Sequence, residues 1–315
     1  MQARKMRQTI KTAFAVAVVT IGLAGQALAG PLEDGLAAYK RADYATALRL
    51  WRALADKGSS AAQYNLGLMY DDGRGVPQDY GEALNWYRRA AEQGIGEAQY
   101  EIGSMYDNGR GVHQDYGEAV KWYRRATDKG VPLAQFSLGS MYASGQGVPQ
   151  EYLEAVKWYR RAAANGIAEA QYNLGFLYDI GEGVPQDYAE AVKWYRPAAE
   201  QGNADAQFGL GLKYASGEGV PQDDAEAVKW YQLAADRGDA DAENLLGFMY
   251  YSGRGVRKDD VQAHKWYSLA ALRYLASEKQ KRDEAAKDRD LIASKMTPAQ
   301  LLEAQKLAQD WKPSQ

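Results

Sequence analysis

The sequence repeats itself every 36 residues, and this period constrains its fold more than any other feature. One glycine and one tryptophan recur six times at this interval, without an insertion or a deletion. The glycines are Gly67, Gly103, Gly139, Gly175, Gly211 and Gly247, and the tryptophans are Trp86, Trp122, Trp158, Trp194, Trp230 and Trp266. A period of roughly 20–50 residues indicates an array of supersecondary units, each of which needs its neighbours to bury its apolar face.

Each repeat has the pattern of two helices joined by a tight loop. In the first copy, Gly73 follows an apolar periodic segment and is a candidate for the left-handed residue that ends a helix. Asp79, with Glu82 three residues later, has the pattern of a capping box that begins a second helix. The predicted inward-facing positions are Ala62, Leu66, Met69 and Tyr70, then Ala83, Leu84, Trp86, Tyr87, Ala90 and Ala91. We therefore predict an all-α chain of stacked antiparallel helix hairpins.

Gly67 and its five equivalents lie inside the first predicted helix of each repeat. A glycine in a helix interior costs about 1 kcal/mol relative to alanine, so its repetition in every copy needs a structural reason. We expect these glycines to allow the close approach of a neighbouring helix.

The N-terminus has the three parts of a secretory signal peptide. The first eleven residues include four basic and no acidic ones, Ala13 to Ala24 is an apolar run, and Ala27 and Ala29 are small residues at the positions that a signal peptidase recognises. This pattern predicts cleavage after Ala29 and a bacterial protein that is soluble in the periplasm or outside the cell; the alternative is an uncleaved anchor. No later segment is long and apolar enough for a transmembrane helix.

The repeats divide the chain into four segments. These are a cleavable signal peptide (1–29), an N-terminal capping hairpin (30–58), six repeats (59–272) and C-terminal capping helices (273–315). The capping hairpin lacks the Gly-x-Gly loop of the full repeats, as expected of a terminal unit in a repeat array. In the last segment, Thr297 followed by Pro298 indicates the start of a helix.

The composition argues against several classes of function. The absence of cysteine excludes disulfides and thiolate metal sites, and the acidic balance (41 acidic against 38 basic residues) argues against nucleic acid as a partner. His113 and His264 form no recognisable metal motif, and no phosphate-binding glycine loop or nucleophile-elbow serine occurs. We therefore expect no cofactor, no metal and no enzymatic activity, although a pair of catalytic carboxylates stays possible because acids are abundant.

The repeat resembles a known family. Residues 62–94 match the pattern A-x-x-x-L-G-x-x-Y-x-x-G-x-G-V-x-x-D-x-x-x-A-x-x-W-Y-x-x-A-A-x-x-G of the Sel-1-like repeats, which are relatives of the tetratricopeptide repeats. The resemblance implies a right-handed α-solenoid that acts as an adaptor in protein complexes, in a family whose bacterial members are often exported. One branch with disulfide-stapled hairpins and a β-lactam-related activity does not fit, because this chain has no cysteine. Pro197 also departs from the pattern, and we expect a local kink in its helix.

Four positions of the first helix vary among the six copies and fall on one face of it, beginning at Ala61, Asn65, Leu68 and Asp72. In solenoids of this family the first helix lines the inner curve, so we hypothesise that these positions form a concave groove for a protein or peptide. The alternative is that they only pack against the next repeat. The candidate partner-binding residues are Asn65, Leu68, Asp72, Glu101, Ser104, Asn108, Ser137, Ser140, Asn173, Phe176, Ile180, Leu212, Leu245 and Phe248. The apolar residues of the later copies suit a peptide or helix ligand.

The second helices carry runs such as Lys121 to Arg125, in which helical spacing places the aromatic residues inward and the charges outward. We interpret the charges as a solvated outer face; the alternative is weak binding of anionic polysaccharide or lipid. Taken together, the sequence predicts a monomeric, non-enzymatic, exported scaffold that serves cell-envelope assembly, signalling or secretion. The remaining alternatives are a cell-wall-active enzyme or its regulatory subunit, and a binder of anionic polysaccharide.

Overall fold

The computed structural model describes residues 26–313, with side chains from Gly30 onward. Residues 1–25, which hold most of the predicted signal peptide, lie outside the described residues, and the first helix runs through the predicted cleavage position after Ala29. The described part of the chain forms sixteen α-helices, one short 3₁₀ helix and no strand. The chain divides into two compact units at residue 151, and each unit is an α-solenoid of stacked helix hairpins.

The described part of the first unit contains seven helices, which pack in sequence order. They are α1 (Gln26–Lys40), α2 (Tyr44–Ala55), α3 (Ser60–Asp72), α4 (Tyr80–Glu92), α5 (Gly96–Asn108), α6 (Tyr116–Asp128) and α7 (Pro132–Ser144). The pairs α1–α2, α3–α4 and α5–α6 are the hairpins, and each packs against the next one through α2–α3, α4–α5 and α6–α7.

In the second unit, residues 152–313 form nine helices. They are α8 (Tyr152–Ala164), α9 (Ala168–Ile180), α10 (Tyr188–Glu200), α11 (Ala204–Ser216), α12 (Asp224–Ala235), α13 (Ala240–Ser252), α14 (Asp260–Arg273), α15 (Lys279–Ala293) and α16 (Pro298–Asp310), with the 3₁₀ helix at Ala276–Glu278. The two last helices both pack on α14. Helix α10 continues through Pro197 to Glu200. None of the helices in residues 26–313 is both long enough and apolar enough to span a bilayer.

The predicted helix ends are present. Helix α3 ends at Gly73, whose φ of 68° lies in the left-handed region, and α4 begins after Asp79, whose carboxylate accepts hydrogen bonds from the backbone N–H groups of Gly81 and Glu82. In the next repeat the glutamate equivalent to Glu82 makes an ion pair with Lys121 one turn later. In α16, Thr297 and Gln300 form a reciprocal capping box, as the helix-start signal at this position predicts.

The repeated glycine faces the tyrosine that follows the repeated tryptophan. A Cβ atom built on Gly103 would lie 2.7 Å from Cδ1 of Tyr123, and one on Gly211 would lie 2.6 Å from Cδ1 of Tyr231. Both tyrosines are buried. The expectation that the glycine permits a close approach is therefore confirmed, and the group that approaches is the aromatic ring of the second helix.

The charged outer positions link neighbouring repeats. Arg124 donates a hydrogen bond to the hydroxyl of Tyr142 at 2.7 Å, and Arg160 donates to the hydroxyl of Tyr178 at 2.6 Å, in each case from a second helix to the next first helix. The lysines make ion pairs with glutamates one turn earlier, as in Lys157–Glu154 and Lys193–Glu190. The basic runs are therefore part of the packing between repeats, with their remaining surface in solvent.

Candidate functional site

The structure separates the candidate residues of the first unit into buried and accessible ones. Asp72 and Asn108 are exposed, and Asn65, Ser137 and Ser140 are half-buried. Three other candidates, Leu68, Glu101 and Ser104, are buried. The expectation of an open face is wrong at these three residues, so the first unit presents no continuous row of candidate side chains.

Two different contacts bury these three residues. Leu68 belongs to the apolar core that contains Leu84 and Tyr87. Glu101 and Ser104 lie beneath the guanidinium of Arg110, which projects from the loop after α5.

Arg110 makes its strongest contact with a buried carboxylate of the preceding repeat. Its Nη1 atom lies 2.7 Å from Oδ1 of Asp71, and its Nη2 atom lies 3.4 Å from the hydroxyl of Ser104 and 3.8 Å from Oε2 of Glu101. Burial lowers the pKa of Arg110, but the two carboxylates outweigh this effect and hold its pKa above the ordinary value. Arg110 therefore joins two repeats. Its side chain also covers part of the helix face on which the variable positions lie.

The second unit keeps its apolar candidates accessible. Phe176 is 43% exposed, Leu212 is 39% exposed and Phe248 is 41% exposed, although all three are large apolar side chains. They hold the same position in α9, α11 and α13, and we call these three residues the apolar row. Ile180 is also exposed, whereas Asn173 and Leu245 are half-buried.

Local contacts orient the two aromatic members of the apolar row. The ring of Phe176 stacks on Tyr172 one turn earlier, with centroids 6.3 Å apart and an interplanar angle of 29°. The guanidinium carbon of Arg254 lies 6.0 Å from the ring centroid of Phe248. These contacts fix the rings in place while leaving more than a third of each side chain in solvent.

Carboxylates accompany the apolar row on the same helices. Glu169, Asp205 and Asp241, which we call the acidic row, lie seven residues before Phe176, Leu212 and Phe248. Seven residues are close to two full helical turns, so each carboxylate lies on the same helix face as its apolar partner.

The three carboxylates of the acidic row do not have the same hydrogen-bond and ion-pair partners. Asp241 accepts hydrogen bonds from the hydroxyl of Tyr274 and from Nζ of Lys281, both at 2.9 Å, so its carboxylate is paired with a cation of the same chain. Burial raises the pKa of Asp205, and no ion pair to Asp205 or Glu169 is present among the described residues. Two carboxylates of the row are therefore available to a cation from outside.

The acids and the two histidines are the candidate metal ligands of this cysteine-free chain. Within residues 26–313 no group of three or more His, Asp or Glu side chains is arranged to hold a metal ion. His113 is exposed in a loop, whereas His264 is buried in α14, where burial first and the charge of Arg289 second lower its pKa. The buried position of His264 is equivalent to Val228 in the preceding repeat, so its role is in packing.

One buried ion cluster was missed by the sequence analysis. Lys213 takes the position that holds Met141 or Leu177 in other repeats, and it is buried. Its ammonium contacts the carboxylates of Asp179 and Glu218, the latter at 2.8 Å. The sequence did contain a signal for this cluster, because Lys213 stands at a repeat position that holds apolar residues in other copies.

The family model for the Sel1 repeat matches most of the described chain. It matches seven consecutive segments: residues 24–59, 60–95, 96–131, 132–167, 168–203, 204–239 and 240–274. The chain belongs to the Sel1 repeat family. The first of the seven Sel1 repeats covers the hairpin for which the sequence analysis predicted a capping role. Sel1 repeat proteins are in general scaffolds for protein interaction, so the family indicates a protein partner and a non-catalytic repeat scaffold.

A solved Sel1 repeat structure has the same fold. The crystal structure of a Sel1 repeat protein from Oxalobacter formigenes is 37% identical over 76% of this chain and 99% of that chain, with a TM-score of 0.69. The protective antigen c5321 of uropathogenic Escherichia coli, which displays an SLR fold, is 28% identical over 90% of this chain and 75% of that chain, with a TM-score of 0.40. A search of curated proteins found no significant match.

Proposed function

We propose that this protein is an exported scaffold that binds a segment of a partner protein along α9, α11 and α13. The partner segment carries apolar side chains next to basic ones. The observation that carries this proposal is the apolar row, in which Phe176, Leu212 and Phe248 stay accessible at the same position of three first helices.

The apolar row supplies the affinity. Large apolar side chains that remain accessible in a regular row mark an interaction surface more often than isolated exposed residues do. Covering apolar surface contributes about 25 cal/mol per Å², and aromatic anchors dominate the energetics of many interfaces. Because the three residues lie on consecutive first helices, one extended or helical peptide can contact all three.

The acidic row supplies the selectivity for a basic segment. Glu169 and Asp205 have no cation among the described residues, and Asp241 already holds Lys281. A lysine or arginine of the partner would pair with the first two carboxylates in the way that Lys281 pairs with Asp241. Charge complementarity of this kind mainly speeds association and excludes acidic competitors, and it weakens as salt rises.

Export rests on the N-terminal sequence, with its basic start, its apolar run and the small residues Ala27 and Ala29. An exported scaffold of this family would serve envelope assembly, signalling or secretion. Sequencing the N-terminus of the protein recovered from the periplasm or the medium tests this part of the proposal. We expect Gly30 as the first residue, and recovery of the whole chain from the cytoplasm with Met1 intact would refute export.

Peptide selection on the purified full-length protein tests the binding surface. Short random peptides are displayed and selected, and the binders are measured individually by fluorescence anisotropy. We expect binders that combine aromatic or aliphatic residues with lysine or arginine. The double variant Phe176→Glu and Phe248→Glu should lower their affinity at least about tenfold, because it replaces two apolar anchors by charged side chains.

A matched control uses an exposed apolar residue outside the row. Leu153 lies at the start of α8, a second helix, and Leu153→Glu introduces the same charge there. This variant should bind the selected peptides as the parent protein does, and circular dichroism should show equal helix content for all variants. Peptides that bind equally well to the double variant would refute the placement of the surface.

A further inference from the structure

The repeated tryptophans of the second helices are covered by arginines in three repeats. In α4, α6 and α8 an arginine three residues after the tryptophan stacks on the indole ring. The distances from the guanidinium carbon to the ring centroid are 4.6 Å for Arg89 on Trp86, 4.5 Å for Arg125 on Trp122 and 4.7 Å for Arg161 on Trp158. A stacked cation shields the apolar ring from solvent and keeps the outer face polar.

The next three repeats lack this arginine. Pro197, Leu233 and Leu269 take its place in α10, α12 and α14. Among the described residues no cation stacks on Trp194 or Trp230, and both rings are half-buried. Beside the tryptophan, the second helices therefore exchange a stacked arginine for proline or leucine between α8 and α10, so this face becomes more apolar, while Nε1 of Trp194 donates a hydrogen bond to Glu190.

Helix α16 shows what covers this apolar face in the last repeat. Trp311, just after α16, packs edge-on against Trp266 with centroids 5.8 Å apart, and Ala308 and Trp311 both pack on the core cluster that contains Trp266 and Leu269. Leu269 is 3% exposed, whereas Leu233, the same residue type at the same position one repeat earlier, is 44% exposed. Lys265 also stacks on Trp266, at 3.8 Å.

We propose that Trp194, Pro197, Trp230 and Leu233 form a second docking surface, which binds an amphipathic helix of another protein in the way that α14 binds α16. This surface is continuous with an interface that the chain already uses, because it repeats the contact positions of Trp266 and Leu269 on the two preceding second helices. It lies on the second helices, so it is separate from the apolar row on the first helices.

The face of α16 that packs on α14 defines the chemistry of the partner helix. Ala304 is fully buried, Ala308 is half-buried, and Trp311 contacts the indole of Trp266. Ala304 and Ala308 are four positions apart on one side of α16, and Trp311 follows directly after the helix ends. The small residues let the two helices approach, and the indole of Trp311 packs on the cluster that contains Leu269. On the proposed surface, the tryptophan of a partner helix would take the equivalent place beside the exposed Leu233. The partner helix is therefore expected to carry two small residues and then a tryptophan at this spacing.

A peptide with the sequence of residues 297–313 is a direct probe of this surface. The peptide is labelled at its N-terminus and titrated with the full-length protein, and binding is followed by fluorescence anisotropy. We expect saturable binding that Leu233→Arg weakens about tenfold. The arginine restores the residue that stacks on the tryptophan in α4, α6 and α8, so this variant should fold as the parent does. Pro197→Arg restores the same residue beside Trp194 and should also weaken binding.

Two controls make the result specific. Leu153→Arg adds the same charge at an exposed leucine of α8 and should leave binding unchanged. A peptide with alanine in place of the tryptophan equivalent to Trp311 should bind at least about tenfold more weakly.

Three outcomes would overturn the proposal. Absence of binding would show that the surface does not accept such a helix. Binding that Leu233→Arg leaves unchanged would show that the peptide instead displaces α16 from Trp266. A dimer of the full-length protein that Leu233→Arg dissociates, seen by light scattering, would show that a second copy of the chain occupies this surface.

Discussion

Gly175 lies so close to the ring of Tyr195 that a Cβ atom built on the glycine would come 2.8 Å from Cδ1 of the tyrosine. The same relationship holds between Gly247 and Tyr267, also at 2.8 Å. In each pair the ring of the second helix takes the space that a side chain on the first helix would occupy. The helical cost of the glycine is therefore offset by the burial of a large aromatic ring.

Replacing Gly175 by alanine should lower the stability of the protein. Alanine favours the helix by about 1 kcal/mol, but the added methyl group would force the buried Tyr195 to move, and overpacking of this kind costs about 1–3 kcal/mol. We expect a net loss of stability, measured as a lower midpoint of urea unfolding.

Gly209 is the matched control for this substitution. It also lies inside a first helix, α11, but a Cβ atom there would come no closer than 3.4 Å to the ring of Tyr195, an ordinary contact distance. Gly209→Ala should therefore raise the stability by about 0.5–1 kcal/mol. Equal effects of the two substitutions would contradict the role assigned to Gly175.

The position of this glycine shows why so much of the fold was predictable from the sequence. The tyrosine and the glycine recur together in every full repeat, so their contact is local and its pattern is visible in the period. The same is true of the Gly73 helix end and the Asp79 helix start. Contacts that repeat in every copy leave a signal in the sequence, and these contacts define the hairpins.

The candidate site was less predictable because its exposure depends on residues that do not repeat. Leu68, Ser104 and Phe176 hold equivalent positions, yet only Phe176 is exposed. Ser104 is covered by Arg110 from a loop position that holds Glu182 in the repeat of Phe176. A pattern of variable positions identifies a helix face but does not show which loop residue closes it.

Arg110 and Arg254 hold the same loop position and should differ in their effect on stability. Arg110→Ala would remove the cation from a buried carboxylate, that of Asp71, and breaking a buried pair costs about 3–5 kcal/mol. Arg254 makes an exposed bidentate pair with Asp224, so Arg254→Ala should cost at most about 1 kcal/mol. Urea unfolding of both variants measures the difference, and a similar small loss in both would contradict a structural role for Arg110.

Replacing the buried ion pair of Lys213 should not lower stability, in contrast to the loss of Arg110. The double variant Lys213→Met and Asp179→Asn removes both charges of the buried pair, and it restores the apolar residue that Met141 and Met249 provide at the lysine position. The amide oxygen that replaces the carboxylate can still accept the hydrogen bond from the hydroxyl of Tyr195, at 3.1 Å, and Glu218 is exposed to solvent on one side. Replacement of a buried ion pair by a well-packed apolar residue is often neutral or stabilising. We therefore expect equal or higher thermal stability, and a large loss would show that Lys213 holds the repeats together.

Glu243 is a fully buried acid at a position where five other repeats have glutamine. In those repeats the side-chain amide can donate to a backbone carbonyl of the preceding second helix, as Gln207 does to Ala199 at 3.0 Å and Gln99 to Ala91 at 3.2 Å. Burial raises the pKa of Glu243 to about 8, against the opposing effect of Arg273, whose Nε atom lies 2.7 Å from Oε1. A protonated glutamic acid can donate a hydrogen bond as glutamine does.

The raised pKa of Glu243 predicts a specific dependence of stability on pH. Between the ordinary carboxyl pKa of about 4.3 and the folded value, the folded chain holds a proton on Glu243 that the unfolded chain has lost, so this group's contribution to stability falls as pH rises through that range. Glu243→Gln removes this loss. The variant should gain more stability over the parent at about pH 8.5 than at about pH 5.5, by at least about 1.4 kcal/mol, the equivalent of one unit of pKa shift. Urea unfolding of both proteins at the two pH values measures this difference. Groups that titrate in the same way in the parent and the variant contribute equally to both free energies of unfolding, so their effect cancels. An advantage of the same size at both pH values would mean that Arg273 keeps Glu243 ionised in the folded protein.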